Sequence, residues 1–376
     1  DVYKRQNIDR LARGGRLGMV KTVPDGLKPG SDVANLSAMG YDPLKCYTGR
    51  SPLEAVSIGI QMDDTDVAFR CNLVTLSDDA EYAEKTMVDY SSGEITTAEA
   101  AELIRAVDEA FRTDEILFYP GISYRHCMIW HQGPVGLNLT PPHDISDRKI
   151  TEYLPQNPVI LDLMKRSYEI LKDHPINQDR MARGLNPANS IWLWGEGTRP
   201  GVTGFEAAYG VKASVISAVD LIKGIGLCAG MKVIEVEGAT GNIDTNFKGK
   251  GEAALKTLLD GQDLVYIHVE APDECGHHGD LEGKIQAIER IDQDIVGPLL
   301  KGLEEAGEDY SILVMPDHPT PISIKTHISD PIPYLLYCST DVTDSGIDTY
   351  TEKTGKSTGV YVEPGYLLMQ QLLKNK

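Results

Sequence analysis

Carboxylate and imidazole side chains that follow two apolar runs are the residues of this chain best suited to chemistry. The runs, residues 264–269 and 310–315, are short and rich in β-branched residues, which is typical of buried strands. Ligands of an open α/β sheet bind beyond the carboxyl ends of its strands. The side chains placed there or shortly after are Asp273, His277, Asp317, His318 and His327.

These side chains indicate metal ligands. Carboxylates and imidazoles without paired cysteines suit Mn, Zn, Fe or Mg better than a metal that prefers thiolates. The set is large enough for two ions, and paired ions about 3.5–4 Å apart suit phosphoryl chemistry. The alternative is that they are solvated turn residues. We favour a metal centre because each group follows a buried-strand pattern.

Ser31 has two interpretations. It follows a Pro/Gly-rich turn at 24–30 and opens a predicted helix, so it could be a capping residue that contributes about 1 kcal/mol to helix stability. It could instead be a nucleophile, because a helix N-terminus favours the anion formed when the serine is phosphorylated. A serine needs activation to attack phosphorus. The candidate metal ligands elsewhere in the chain therefore favour the nucleophile.

Length and composition limit the class of protein. A chain of 376 residues predicts about two domains. The net charge of −20 argues against nucleic acid or an anionic membrane as a partner, though it permits a small anionic substrate. No apolar run reaches the roughly 18 residues of a membrane span. Six scattered cysteines without a CxxC motif predict reduced, mostly buried thiols in a cytoplasmic protein.

The order of strand and helix patterns predicts an interrupted domain. Residues 1–60 and 205–376 alternate strands with helices, which predicts an α/β domain with a doubly wound, mainly parallel sheet. Residues 61–204 bring neighbouring strand patterns together with helices, which predicts a smaller inserted α+β domain. Basic side chains in this insertion are candidates to bind an anionic substrate, since arginine matches phosphate and carboxylate oxygens. Singly, each could instead be a surface or packing residue.

Several motifs together resemble one enzyme family. They are 14–18 (GGRLG), 29–35 (PGSDVAN), 47–50 (YTGR), 272–277 (PDECGH), 316–318 (PDH), 326–327 (TH) and 330–333 (DPIP). In this order the chain resembles the cofactor-independent phosphoglycerate mutases, most closely their archaeal-type branch. The resemblance implies an alkaline-phosphatase-like core with an inserted domain and a site with two divalent ions, usually Mn, Zn or Mg, without 2,3-bisphosphoglycerate. It also implies interconversion of 3-phosphoglycerate and 2-phosphoglycerate, small phosphorylated carboxylic acids, through a phosphoserine.

The resemblance also implies roles for single residues. Ser31 matches the phosphorylated nucleophile. Asp273, His277 and His327 would hold one ion, while Asp317, His318 and Ser31 would hold the other. The candidate substrate-binding residues are Arg70, Asn72, Arg125, His143, Asp144, Arg199 and Lys212. The oligomeric state is left open.

One departure from the family pattern concerns the start of the chain. The family opens with an apolar strand ending in Asp-Gly, whose aspartate is a further metal ligand, whereas this sequence starts beyond that point. Asp25-Gly26 cannot replace it, because that pair lies in the loop just before Ser31. We therefore expect the first strand and one ligand to be missing from the sequence given.

Three alternatives to the mutase remain at this point. A related phosphotransferase with a homoserine-kinase-like role would require ATP. A plain metal-dependent phosphomonoesterase would release phosphate. A metal-stabilised binding module would have no activity that depends on Ser31.

Overall fold

The computed structural model describes residues 5–374. The helices are α1 (Gln6–Gly14), α2 (Ser31–Ala38), α3 (Pro43–Cys46), α4 (Ser51–Ser57), α5 (Thr97–Phe111), α6 (Pro158–Leu171), α7 (Pro175–Ala182), α8 (Phe205–Tyr209), α9 (Asp220–Cys228), α10 (Phe247–Leu259), α11 (Ala271–His278), α12 (Leu281–Arg290), α13 (Gly297–Ala306), α14 (Glu352–Ser357) and α15 (Leu367–Leu373). The strands are β1 (Arg16–Val20), β2 (Asp66–Leu76), β3 (Met87–Asp89), β4 (Ile116–Tyr119), β5 (Arg125–His131), β6 (Ser190–Thr198), β7 (Ala213–Ile216), β8 (Lys232–Val233), β9 (Leu264–Ile267), β10 (Ser311–Val314), β11 (Ile332–Cys338) and β12 (Tyr361–Val362).

The chain divides into two compact units. The first combines Asp1–Tyr47 with Gly201–Lys376, and the second is the continuous segment Thr48–Pro200. The predicted insertion, 61–204, starts later than this second unit. The difference is α4, whose Ala55 packs in one apolar cluster with Ala68 of β2 and Ile129 of β5. That the second unit is a substrate-binding insertion stays a prediction.

The first unit contains two sheets rather than the single mainly parallel sheet that was predicted. Strands β8, β7 and β9 form a parallel sheet in that order. Strands β10, β11, β1 and β12 form a mixed sheet, in which β11 runs antiparallel to both β10 and β1. Parallel pairing needs a long crossover, usually a helix. The chain between β10 and β11 contains none, which accounts for their antiparallel pairing.

A cleft of about 2460 Å³ lies within the first unit, and both β9 and β10 line it. Its apolar lining includes Val265, Ile267, Ile312 and Val314. All four residues of β10 are half-buried. Asp273, Asp317 and His318 also line the cleft.

The second unit is an antiparallel sheet covered by helices. Strand β2 pairs antiparallel with β5 on one side and with β6 on the other, and β4 extends the sheet beside β5. Residues of α5 and α6 pack on this sheet in a large apolar core that contains Phe69 and Trp192. Thr96 caps α5 and Asn157 caps α6, since their side-chain oxygens accept backbone N–H groups.

One further expectation is confirmed, because all six cysteines are buried and none lies in a disulfide. Residues 281–306 form α12, a π-helical turn at Ile291–Val296 and α13. Among the described residues, no helix has the length and apolar character needed to cross a membrane.

Candidate metal centre

Ser31 is the first residue of α2 and does not cap it. The N-cap is Gly30, whose backbone is extended, and the cap makes no side-chain hydrogen bond. The capping interpretation of Ser31 is therefore wrong, because the turn places Gly30, not Ser31, at the N-cap. The Ser31 Oγ instead lies 3.1 Å from Nε2 of His318, so the hydroxyl points into the predicted ligand group.

Asp273 and His277 lie one turn apart on α11, which places both side chains on one face of the helix. The Nε2 atom of His277 is 3.2 Å from Oδ2 of Asp273. His327, which comes from the loop between β10 and β11, adds a second imidazole, with its Nε2 3.3 Å from Oδ1 of Asp273. The two Nε2 atoms of the histidines are 2.9 Å apart. Three predicted ligands thus converge on one point.

The orientation of the two imidazoles fits a metal ion. Nδ1 of His277 is 3.1 Å from the carbonyl oxygen of Lys325, and Nδ1 of His327 is 3.1 Å from that of Pro29. A carbonyl oxygen only accepts, so each Nδ1 carries the proton and each Nε2 presents a lone pair. Metal-binding histidines commonly donate their other ring N–H in this way. Two lone pairs facing each other beside a carboxylate require a shared proton or a cation, and this donor set fits a divalent ion.

Asp317 and His318 follow β10, as predicted. His318 is buried, and its backbone N–H donates to Oδ1 of Asp317 at 2.9 Å. Asn35 of α2 donates through Nδ2 both to Oδ2 of Asp317 and to the carbonyl oxygen of Ser31, each at 2.8 Å. The hydroxyl of Tyr266 donates to Oδ1 of Asn35 at 2.6 Å. The nucleophile candidate and one carboxylate are therefore held by the same amide.

The two predicted ligand groups are adjacent. The rings of His318 and His327 have centroids 3.9 Å apart. Potential ligand atoms of Asp273, His318 and His327 lie within 4.8 Å of one another, as do those of Glu270, Asp273 and Glu274. The structure thus brings together the five predicted ligands and Ser31, with His318 close to both groups. Their division between two ions stays a prediction.

The electrostatics of the cluster also favour a cation. Burial alone would raise the pKa of Asp273, but the adjacent His327 ring and the Thr320 hydroxyl outweigh it and lower the pKa to about 2. Burial raises the pKa of Glu270 to about 8, and the nearby carboxylates of Asp273 and Asp317 add to the effect. Carboxylates that raise one another's pKa are electrostatically unfavourable together. A bound cation would relieve this repulsion.

Three of the predicted substrate-binding residues meet at Trp194 in the second unit. The guanidinium of Arg70 lies 4.5 Å from the centroid of the Trp194 ring. Oδ1 of Asn72 accepts a hydrogen bond from Nε1 of Trp194 at 3.0 Å, and the ring of His143 is 5.4 Å away. Arg70 also pairs with Glu54 at 3.0 Å. This group combines a half-buried cation with polar and aromatic surfaces.

Arg125 and Asp144 are exposed residues of the second unit. The guanidinium of Arg125 lies 5.6 Å from the ring centroid of Tyr124. The carboxylate of Asp144 is 3.6 Å from Nε2 of His143, so it borders the group at Trp194.

The remaining two substrate-binding candidates stand apart from these groups. Arg199 donates to the carbonyl oxygen of Met62 at 3.4 Å. Lys212 belongs to the first unit, is exposed and immediately precedes β7. Because β7 and β9 run parallel, Lys212 lies at the amino end of this sheet, whereas Asp273 follows its carboxyl end. The structure therefore does not bring Lys212 to the metal ligands, and its predicted role gains no support.

Sequence reasoning missed several residues of the cluster. Asn35 was detectable, because it is four residues after Ser31 and therefore on the same helix face. Glu270 was also detectable, because it directly follows the apolar run 264–269 and lies three residues before Asp273. Tyr266 and Thr320 carried no signal, since their contacts depend on how separate elements meet.

The fold and the cluster together define a class, a mixed α/β protein with a candidate metal centre beside a serine. A family model described as 2,3-bisphosphoglycerate-independent phosphoglycerate mutase matches residues 12–177. The probable 2,3-bisphosphoglycerate-independent phosphoglycerate mutase of Geobacter sulfurreducens is 50% identical over 98% of this chain and 92% of its own. The chain therefore belongs to the 2,3-bisphosphoglycerate-independent phosphoglycerate mutase family, which confirms the resemblance seen in the motifs.

Solved structures support the same fold. A protein of Pyrococcus horikoshii is similar with a TM-score of 0.80 and 28% identity, over 99% of this chain and 90% of its own. A cofactor-independent phosphoglycerate mutase of Thermoplasma acidophilum is similar with a TM-score of 0.65 and 23% identity, over 98% of this chain and 91% of its own. The second likeness bears on the fold alone.

Proposed function

We propose that this chain interconverts 3-phosphoglycerate and 2-phosphoglycerate through a phosphoserine at Ser31, with two divalent ions and without 2,3-bisphosphoglycerate. The observation that carries the proposal is the position of the Ser31 Oγ. It lies at the start of a helix, 3.1 Å from Nε2 of His318, beside a cluster of carboxylates and imidazoles. The family membership and the 50% identity to a protein named as such a mutase support it.

The ions would be held by residues of the first unit. Asp273, His277 and His327 would bind one ion, and Asp317 and His318 would bind the other together with Ser31. Oxygen and imidazole donors are compatible with Mn, Zn or Mg. Bound divalent ions supply charge stabilisation for phosphoryl transfer.

The phosphoryl group would be transferred in two half-reactions, first to Ser31 and then back to glycerate. The Ser31 Oγ attacks the phosphorus, so a bond from phosphorus to Oγ forms as the bond to one glycerate oxygen breaks. The serine proton ends on that glycerate oxygen. In the second half the other hydroxyl of glycerate attacks the phosphoserine and its proton returns to Oγ. The two halves together conserve all atoms, and they require neither water nor a second phosphate donor.

Two features of the described residues suit this sequence of events. The N-terminus of α2 favours the negative charge of a phosphorylated Ser31, and Asn35 fixes the backbone at that position. Arg70, Asn72 and His143, grouped at Trp194, are proposed to bind the anionic substrate. Exclusion of water while glycerate is retained would prevent hydrolysis of the phosphoserine.

Covalent labelling tests the proposal. With 3-phosphoglycerate labelled in its phosphate and Mn²⁺, quenching and peptide mapping should place the label on Ser31. Ser31→Ala should lose label and at least about 10³-fold of the turnover, as expected for loss of a nucleophile. Ser37→Ala, a change of a buried serine in the same helix, should keep both. Label on another residue, or full turnover by Ser31→Ala, would contradict the phosphoserine mechanism.

A further inference from the structure

Thr320 bridges the two predicted ligand groups. It lies two residues after His318, in the loop that follows β10, and only 5% of its surface is exposed. Its Oγ1 is hydrogen-bonded to Oδ1 of Asp273 and lies 3.3 Å from Nδ1 of His318. One hydroxyl therefore touches a carboxylate from α11 and an imidazole from the loop after β10.

The chemistry of these three groups fixes the direction of both hydrogen bonds. A carboxylate oxygen accepts, so the single proton of the Thr320 hydroxyl is donated to Oδ1 of Asp273. The hydroxyl oxygen is then left to accept, which requires the proton of His318 to be on Nδ1. Nε2 of His318 is thereby left as the nitrogen with the lone pair, and it is this atom that faces Ser31 Oγ.

The hydroxyl of Thr320 is itself held in place through its backbone. Nζ of Lys284, on α12, donates to the carbonyl oxygen of Thr320 at 2.7 Å. On α11, a Cβ added to Gly276 would lie 2.6 Å from the same oxygen, so this helix and the loop are in close contact. The position of Oγ1 thus follows from the packing of α11 and α12 on the loop.

We infer that Thr320 is a positioning residue that sets the tautomer of His318 and the orientation of the Asp273 carboxylate, and so couples the ligands of the two proposed ions. The inference rests on the proposed metal centre. Partners of this kind commonly change metal affinity by about 10–100-fold when they are removed. The Thr320 hydroxyl contacts a proposed ligand of each ion. Its loss should therefore weaken the binding of both metal ions.

Two matched substitutions separate the effect of the Thr320 hydroxyl on metal binding from the effect of the side chain's shape. Thr320→Val keeps the shape and removes the hydroxyl, whereas Thr320→Ser keeps the hydroxyl. Mn²⁺ titration by calorimetry should show both binding steps weakened about 10–100-fold in Thr320→Val and near wild type in Thr320→Ser. Thermal unfolding of the metal-free proteins checks that each variant folds.

A second measurement uses the unchanged protein and so does not depend on the folding of a variant. Nitrogen-15 NMR of the metal-free protein at neutral pH should show His318 protonated at Nδ1. A proton on Nε2, or Mn²⁺ affinities of Thr320→Val equal to wild type while wild type binds two ions, would overturn the role of Thr320 alone. Failure of the wild-type protein to bind Mn²⁺ would overturn the metal centre and this inference together.

Discussion

His277 and His327 meet through Nε2 atoms at 2.9 Å, while their Nδ1 atoms donate to the carbonyl oxygens of Lys325 and Pro29. Both candidate ligands could be picked out from the sequence, because each lies in one of the family motifs. Their mutual orientation was not predictable, because it depends on Pro29 and Lys325, whose side chains carry no metal chemistry. Backbone carbonyl groups orient the rings, and sequence patterns do not reveal such contacts.

His126 in β5 gives a prediction that is independent of any metal. It is 6% exposed, Nδ1 accepts from the backbone N–H of Gly121 at 3.0 Å, and Nε2 has no hydrogen-bond partner within residues 5–374. Burial lowers its pKa from 6.5 to about 3. Between these values the unfolded chain binds a proton that the folded chain does not. Stability should therefore fall by about 1.4 kcal/mol for each unit that the pH drops through this range.

His126→Asn tests this effect, since an amide oxygen can accept from Gly121 but does not titrate. Urea unfolding from pH 7 to pH 4 should show a shallower loss of stability on the acid side for the variant. Tryptophan fluorescence is the appropriate probe, because all three tryptophans, Trp130, Trp192 and Trp194, lie in the second unit. Parallel pH profiles for the two proteins would show that His126 does not cause the loss.

At the scale of elements, the contact between α11 and the loop after β10 positions the cluster. A Cβ on Gly276 would lie 2.6 Å from the backbone oxygen of Thr320, a distance that requires one of the two segments to move. Gly276→Ala should therefore destabilise the protein by about 1–3 kcal/mol and weaken Mn²⁺ binding.

Gly204→Ala is a suitable control for that substitution, because an added Cβ there meets nothing nearer than 4.0 Å. Thermal unfolding with and without Mn²⁺ compares the two variants. A Gly276→Ala protein with the melting temperature and the Mn²⁺ response of Gly204→Ala would show that this close contact does not matter.

Most elements near the cluster could be predicted from the sequence, and the exceptions have physical reasons. The apolar runs before Asp273 and Asp317 do form strands. The pairing of β11 with β1 and β10 was missed, because strand direction is set by the connection, not by hydrophobic pattern. Ser31 was open to interpretation as a cap because glycine also occupies that position, and the local sequence does not distinguish them.

At the scale of the whole molecule, the alternation of strands and helices on both sides of residues 61–204 predicts an interrupted domain, and the first compact unit combines two separate segments of the chain. The boundary of the insertion was harder to predict from the sequence. Helix α4 was assigned to the first segment, whereas its packing with Ala68 and Ile129 places it in the second unit. In the proposed reaction, the first unit would supply Ser31 and the metal ligands, and the second unit would supply Arg70 and His143, which are grouped at Trp194.

The most direct test of the central claim follows 3-phosphoglycerate by phosphorus-31 NMR with the purified chain and Mn²⁺, in the absence of ATP and 2,3-bisphosphoglycerate. We predict the appearance of 2-phosphoglycerate, its loss on chelation and no accumulation of inorganic phosphate. Release of phosphate without 2-phosphoglycerate would contradict the mutase and indicate a phosphomonoesterase. Product formed only with ATP would contradict it in favour of a phosphotransferase.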